Sequence, residues 1–173
     1  MKNIDISELN NFNNKNIFEM IGKDWMLITA GDEQKFNTMT ASWGGLGVLW
    51  NKNVSFCFVR PQRYTFEFLE HNSYYNLSFY NNNYKNSLKI CGTKSGKNCD
   101  KIKESGLNIF YYNYNNIKIP CFKEAKLTLI CEKIYSQFIN PEYIPENILK
   151  NNYQNHDYHK MYIGEIKECL VQD

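Results

Sequence analysis

Trp25-Met-Leu-Ile-Thr-Ala-Gly31-Asp32, followed by Phe36-Asn-Thr-Met-Thr-Ala-Ser-Trp43, is the stretch on which the fold turns. The first part is a short apolar run closed by Gly31-Asp32, which reads as a buried strand ending in a turn. Phe36 to Trp43 reads as its hairpin partner. Next, Gly44-Gly45-Leu46-Gly47 reads as a loop, because three glycines in four positions defeat either regular structure. Val54 to Val59 is β-rich and ends at Arg60-Pro61. Pro61 at a first helical position, with Tyr64, Phe66, Phe68 and Leu69 before His71-Asn72, predicts a helix of about nine or ten residues. Tyr74 to Tyr80 is again strand-like.

Further on, Tyr84 to Ile90 reads as a helix stopped at Gly92, and Asp100 to Glu104 as a short one stopped by Gly106. The aromatic, Asn-rich patch Phe110 to Asn116 reads as an exposed excursion. Between Ala125 and Tyr135 the positions Ala125, Leu127, Leu129 and Cys131 alternate with Lys126, Thr128 and Glu132, the period of a half-buried antiparallel strand. Pro141 and Pro145 then lead to a strand over Tyr158 to Ile166. At least six strands, few and short helices and no repeating strand–helix unit predict a mainly β protein, an antiparallel barrel or sandwich.

The chain has 173 residues, the size of a single domain over 1–173, and its 16% aromatic content excludes a disordered chain. Twenty-five residues are Asn, which reads as a background bias of composition. Twenty basic against 18 acidic residues, spread along the chain, give no footprint for nucleic acid. Met1 to Asn16 is polar, unlike a signal peptide, and no run approaches the ~18 apolar residues of a membrane span. The expectation is a cytoplasmic protein, with its six cysteines reduced and structural.

Several motifs fail. Gly45-x-Gly47 is followed by Trp50 where a dinucleotide fingerprint needs glycine, and Gly96-Lys97 has Cys91 where a P-loop needs its first glycine. His156 and His159 lack a further ligand at metal spacing, so no metal site is expected. Arg60-Pro61-Gln62-Arg63-Tyr64-Thr65 does not fail. If Pro61 opens a helix, free N–H groups at Gln62 and Arg63, the Thr65 hydroxyl and two guanidinium groups converge where a dianionic phosphate would be favoured. The alternative is that both arginines are ordinary surface charges. Thr38, Thr40 and Ser42 alternate through the second cluster, offering hydroxyl and backbone donors to a flat heteroaromatic edge, with Met39 and Trp43 as apolar contacts. The alternative there is an edge strand with solvated threonines.

Taken together, Lys23 to Gly31, Phe36 to Gly45 and Phe58 to Thr65 resemble the flavin reductase-like family of FMN-binding split barrels. Cys91-Gly-Thr-Lys-Ser-Gly96 with Asp100-Lys101, Glu124-Ala125, and Asp157 to Ile166 look like the rest of its pattern, so the resemblance spans roughly residues 17–170. It implies a six-stranded antiparallel split β-barrel, a homodimer, and one FMN per subunit near the dimer interface. By the same resemblance, Thr38, Met39, Thr40, Ala41, Ser42 and Trp43 line the flavin ring and ribityl chain. Arg60, Arg63, Tyr64 and Thr65 lie near the phosphate, and Lys94 and Ser95 close over the cofactor. His159 stands at the open face of the ring, where a nicotinamide would stack; a structural histidine beside Tyr158 and Tyr162 is the other reading. The implied chemistry is hydride transfer from NAD(P)H to FMN and electron delivery to free flavin, a metal complex or a redox partner protein. An FMN-binding electron carrier without a nicotinamide site, and a sensor module, are the alternatives.

Overall fold

A computed structural model describes residues 1–12 and 16–172. Strand β1 (Lys2–Ile4) is followed by a 3-10 helix over Ile6–Phe12 and by α1 (Ile17–Gly22). Four strands come next: β2 (Met26–Gly31), β3 (Phe36–Ala41), β4 (Gly44–Leu49) and β5 (Lys52–Val59). Helix α2 (Tyr64–His71), β6 (Tyr74–Phe79), α3 (Lys85–Thr93) and α4 (Lys101–Ser105) lead to a separate hairpin, β7 (Ile109–Tyr114) and β8 (Ile117–Phe122). The chain continues through β9 (Leu127–Phe138) and α5 (Glu146–Asn152) to β10 (Lys160–Val171).

The main sheet runs β3-β2-β6-β9-β10-β5-β4, antiparallel at every step, with β1 added along the far end of β10. It therefore carries more strands than the six the resemblance implies. Its edge strands, β3 and β4, are consecutive in the chain and are joined only by Ser42-Trp43, yet they do not pair. The barrel is split at a seam that its own backbone bridges.

Local chemistry explains several element ends. Gly31, at φ 122°, closes β2 because a Cβ there would run into Phe36. Asn16 caps α1 by accepting from the Glu19 N–H at 3.0 Å, and Asp100 caps α4 by accepting from Lys103 N–H at 3.1 Å. Gly106, left-handed at φ 71°, ends α4.

Five expectations need correction. Gly92 does not stop α3, which runs through it to Thr93 with Lys94 as C-cap. Gly44 to Gly47 is a strand. Each glycine faces β5, and a Cβ at Gly44 would meet the Phe56 carbonyl oxygen at 2.6 Å while one at Gly47 would press on the Phe56 ring at 3.3 Å, so glycine is what lets this edge lie close. Pro61 does not open α2; it sits in a turn closed by Arg63 N–H to Arg60 O at 3.0 Å, and Arg63 is the N-cap. The 110–116 patch is no excursion: it forms β7 and its turn, where Asn115 (φ 50°) and Asn116 (φ 64°) supply the left-handed pair a tight hairpin needs. Finally, β9 is not half-buried along its first half. Thr128 and Ile130 are as buried as Leu127 and Leu129, because the β7–β8 hairpin covers the outer face with Ile119 and Cys121.

The barrel interior is filled by Met26, Ile28, Leu77, Phe79, Leu129 and Tyr162, each contributing about 1.5–3 kcal/mol by leaving water. Leu27, on the opposite face of β2, packs under α3 with Leu88 and Phe122. Within the barrel, Tyr75 Oη and Ser55 Oγ are 2.8 Å apart, and Gly164 of β10 leaves room for the Tyr75 ring, whose Cε1 lies 2.8 Å from where a Cβ would stand. All six cysteines are unpaired, and burial pushes the thiols of Cys121 and Cys131 up to about 12, which makes them inert fillers. Among the described residues no helix is long and apolar enough to cross a membrane.

Candidate functional site at the seam

A cleft of about 200 Å³ opens at the seam, lined by Met39, Thr40, Ala41, Ser42, Trp43, Phe58, Arg60, Arg63 and His159. A second, of about 170 Å³, shares Thr40, Ala41 and Ser42 and continues to Trp25, Leu88, Gly92 and Thr93. Together they reach the lower end of the range typical of ligand sites, about 300–1,000 Å³. The topology puts them there. Because β3 is an edge strand with β2 on one side only, the other side of its backbone has no strand partner. Helix α3 covers part of that side, with Thr40 Oγ1 donating to the Leu88 carbonyl, and the lack of a side chain at Gly92 lets Thr40 approach. Trp25 holds a left-handed backbone at φ 69° just before β2, and its ring is covered by the Lys85 ammonium at 3.4 Å.

The two arginines differ. Arg60 donates to Asp157 Oδ2 at 2.5 Å, to the Asn152 carbonyl at 2.8 Å and to His159 Nε2 at 3.4 Å. It thereby fastens the segment after α5 to the end of β5. Arg63 donates to the Gly92 carbonyl at 2.8 Å and, among the described residues, has no carboxylate partner; burial lowers its pKa. Lys101 stands beside it, only 4% exposed, donating to the carbonyls of Thr38 at 2.5 Å and Cys91 at 3.2 Å. Burial also pulls the Lys101 ammonium down, and Arg63 adds to that. A buried ammonium and a half-buried guanidinium, with no carboxylate between them among the described residues, give this end of the cleft an excess of positive charge that the carbonyls of Thr38, Cys91 and Gly92 face.

His159 sits at the other end. Its ring centroid is 5.0 Å from that of Trp43, and its Nδ1 is 2.9 Å from Tyr153 Oη. Burial and then Arg60 push its pKa down to about 4, against a smaller opposing effect of Asp157, so the ring is neutral at neutral pH. His156 points elsewhere, to the Tyr158 hydroxyl at 3.0 Å.

Of the residues named from the sequence, the structure gathers Met39, Thr40, Ala41, Ser42, Trp43, Arg60, Arg63 and His159 around one cleft. It leaves five outside. Thr38 turns its hydroxyl to Thr29 Oγ1 at 2.9 Å, and Thr65, fully buried, accepts from Asn37 Nδ2 at 2.7 Å. Tyr64 lines a separate surface groove with Lys35 and Glu67, since α2 begins three residues later than Pro61 suggests. Lys94 pairs with Glu104, and Ser95 Oγ accepts from Lys97 N–H at 3.3 Å, so both serve their own loop. The sequence reading missed Phe58 in the first cleft, Trp25, Leu88, Lys89, Gly92 and Thr93 in the second, and Lys101, which stands behind the lining beside Arg63. Lys101 carried a signal: a lysine in the first turn of a helix opposes the dipole and calls for another reason to be there.

Fold and site together define a split β-barrel with a polar slot at its open seam. The model of the family described as flavin reductase like domain matches residues 20–173, and the chain belongs to that family. Among curated proteins none matches. Flavoredoxin from Methanosarcina acetivorans superposes with a TM-score of 0.68 at 21% identity, over 100% of this chain and 77% of that one. An FMN-binding domain of a flavin reductases-like enzyme from Shewanella baltica gives 0.67 at 14%, covering 99% and 76%. An NADH:FAD oxidoreductase from Streptomyces globisporus gives 0.60 at 13%, covering 86% and 75%. At such identities the likeness establishes the fold.

Proposed function

We propose that the chain binds FMN along the seam and works as an NAD(P)H-dependent flavin reductase, taking a hydride from a dihydronicotinamide onto the flavin N5 and passing electrons to an acceptor. The observation that carries this reading is the coincidence, in one cleft, of an unpaired strand edge and a guanidinium with no carboxylate partner among the described residues. The donor set fits the cofactor. Thr40 to Ser42 offer backbone groups, and Ser42 its hydroxyl, to the polar edge of a heteroaromatic ring, and Phe58 and Trp43 supply apolar walls. Arg63, backed by Lys101, suits a phosphate dianion. Bound FMN supplies the hydride acceptor, so the protein's own task is to orient it and to limit water at the ring. With His159 neutral, no side chain in the cleft has to act as an acid at neutral pH. His159 and Trp43 instead offer a flat wall for a nicotinamide.

We further infer a homodimer. Trp43, Val48 and Trp50 are exposed along and beside β4, and a second copy would cover this apolar rim. Six unpaired thiols suit a reducing compartment such as the cytoplasm.

Anaerobic mixing of FMN-loaded protein with NADH and with NADPH tests the reading. Bleaching of the flavin absorbance supports it. Protein that holds FMN and stays yellow is a carrier reduced by a partner protein, and protein that takes up no FMN overturns the assignment of the cleft.

A further inference from the structure

Arginine can only donate hydrogen bonds, so the contact from Arg60 Nε at 3.4 Å makes His159 Nε2 an acceptor without a proton. The proton of the neutral ring then lies on Nδ1, and Tyr153 Oη, 2.9 Å away, receives it. Tyr153 does not line the cleft. It is buried, follows α5 directly, and packs edge-on against His159 with ring centroids 5.6 Å apart, while the Arg60 guanidinium lies 5.4 Å from its ring centroid. Asp157 holds Arg60 in place from the same segment. The groups facing the imidazole are thus Arg60 from just after β5, Tyr153 and Asp157 from the segment between α5 and β10, and Trp43 from the seam.

We propose that Tyr153 is a positioning residue that locks His159 as the neutral Nδ1–H tautomer, with Nε2 turned to Arg60, so that an uncharged ring faces the nicotinamide side of the cleft. This rests on the function proposed above. The lock has a chemical purpose. A dihydronicotinamide that gives up a hydride, two electrons with one hydrogen, is left as a cation, and an imidazolium beside it would oppose that charge. The neutral tautomer adds no second cation to Arg60, whose own charge Asp157 offsets. Without the Tyr153 hydroxyl the imidazole is free to turn, Nε2 leaves the Arg60 N–H, and protonation becomes easier.

Protein labelled with 15N-histidine, read by long-range proton–nitrogen correlation without any flavin, tests the lock directly. His159 is expected as a single Nδ1–H tautomer, uncharged from pH 8 down to pH 5.5. In Tyr153→Phe it is expected to show mixed tautomers and to titrate closer to the ordinary 6.5. An Nε2–H or charged His159 in the parent protein overturns the proposal, with no variant needed, and so does an unchanged tautomer in Tyr153→Phe. The second measurement is the pH profile of anaerobic FMN reduction. The parent profile is expected to be flat between pH 8 and 5.5, and that of Tyr153→Phe to fall about tenfold, the protonated share one unit below 6.5. A flat profile in a Tyr153→Phe variant whose tautomer has changed removes the positioning role. Failure of both nucleotides to reduce the parent protein overturns the reductase reading and this role with it, and the spectra distinguish that failure from a missing lock.

Discussion

Arg60 and Arg63 leave the same short segment and do different work. Arg60 is spent on Asp157, Asn152 and His159, whereas Arg63 has a carbonyl partner and, among the described residues, no carboxylate. Replacing Arg63 with Ala is expected to weaken FMN binding by about 1.5–3 kcal/mol and to leave riboflavin binding unchanged, as measured by fluorescence titration. His159 makes a separate prediction about stability. Its pKa is about 4 in the folded protein and about 6.5 in an unfolded chain, so between these values only the unfolded chain takes up the proton. The stability tied to its neutral form is complete above pH 6.5 and is lost as the pH falls toward 4, by on the order of 2 kcal/mol. Urea midpoints of the parent and of His159→Asn, compared at pH 7 and pH 4.5, should therefore converge at the lower pH. At this scale Ser42 was legible in the hydroxyl pattern of its segment and His159 through the family resemblance, while Phe58, an apolar strand residue like its neighbours, was not. It was not legible where a polar group is consumed by a partner distant in sequence. Thr65 is claimed by Asn37, 28 positions away, and nothing near Thr65 announces it.

At the scale of elements, β2, β5 and β6 could be read because their apolar runs are short and bounded by turns. The β7–β8 hairpin could not. Its aromatic residues are those a strand favours, but the many Asn residues of this chain made the Asn115-Asn116 turn look like background. Two asparagines with positive φ are a specific device, and a β-branched residue there should cost about 1–2 kcal/mol. Asn116→Val is accordingly expected to lower the thermal midpoint, while Asn116→Gly leaves it level or raises it slightly. The glycines of β4 misled for a related reason. Their low propensity describes an isolated segment, whereas close packing over Phe56 is decided by the neighbouring strand.

At the scale of the whole molecule, the seam follows from the order of strands. No local pattern states that β3 and β4 are the two ends of one sheet, and the family resemblance, more than periodicity, made a split barrel the expectation. The interior has little room to adjust. Gly164→Ala should drive a methyl group into Tyr75 and destabilise the fold by about 1–3 kcal/mol in chemical denaturation, with loss of the Ser55 contact.

Strand β10 pairs with β9, β5 and β1, and among the strands of the sheet it is last in the chain. Without it, the order falls into two unconnected pieces, β3-β2-β6-β9 and β5-β4. During synthesis on the ribosome, the sheet strands before Lys160 are therefore two half-sheets with bare inner edges and a lone β1, open to wrong partners until β10 emerges and stitches them together. A premature stop anywhere before that strand would give a fragment with no barrel to close, and such a fragment belongs to the cell's chaperones and proteases from the moment it is released.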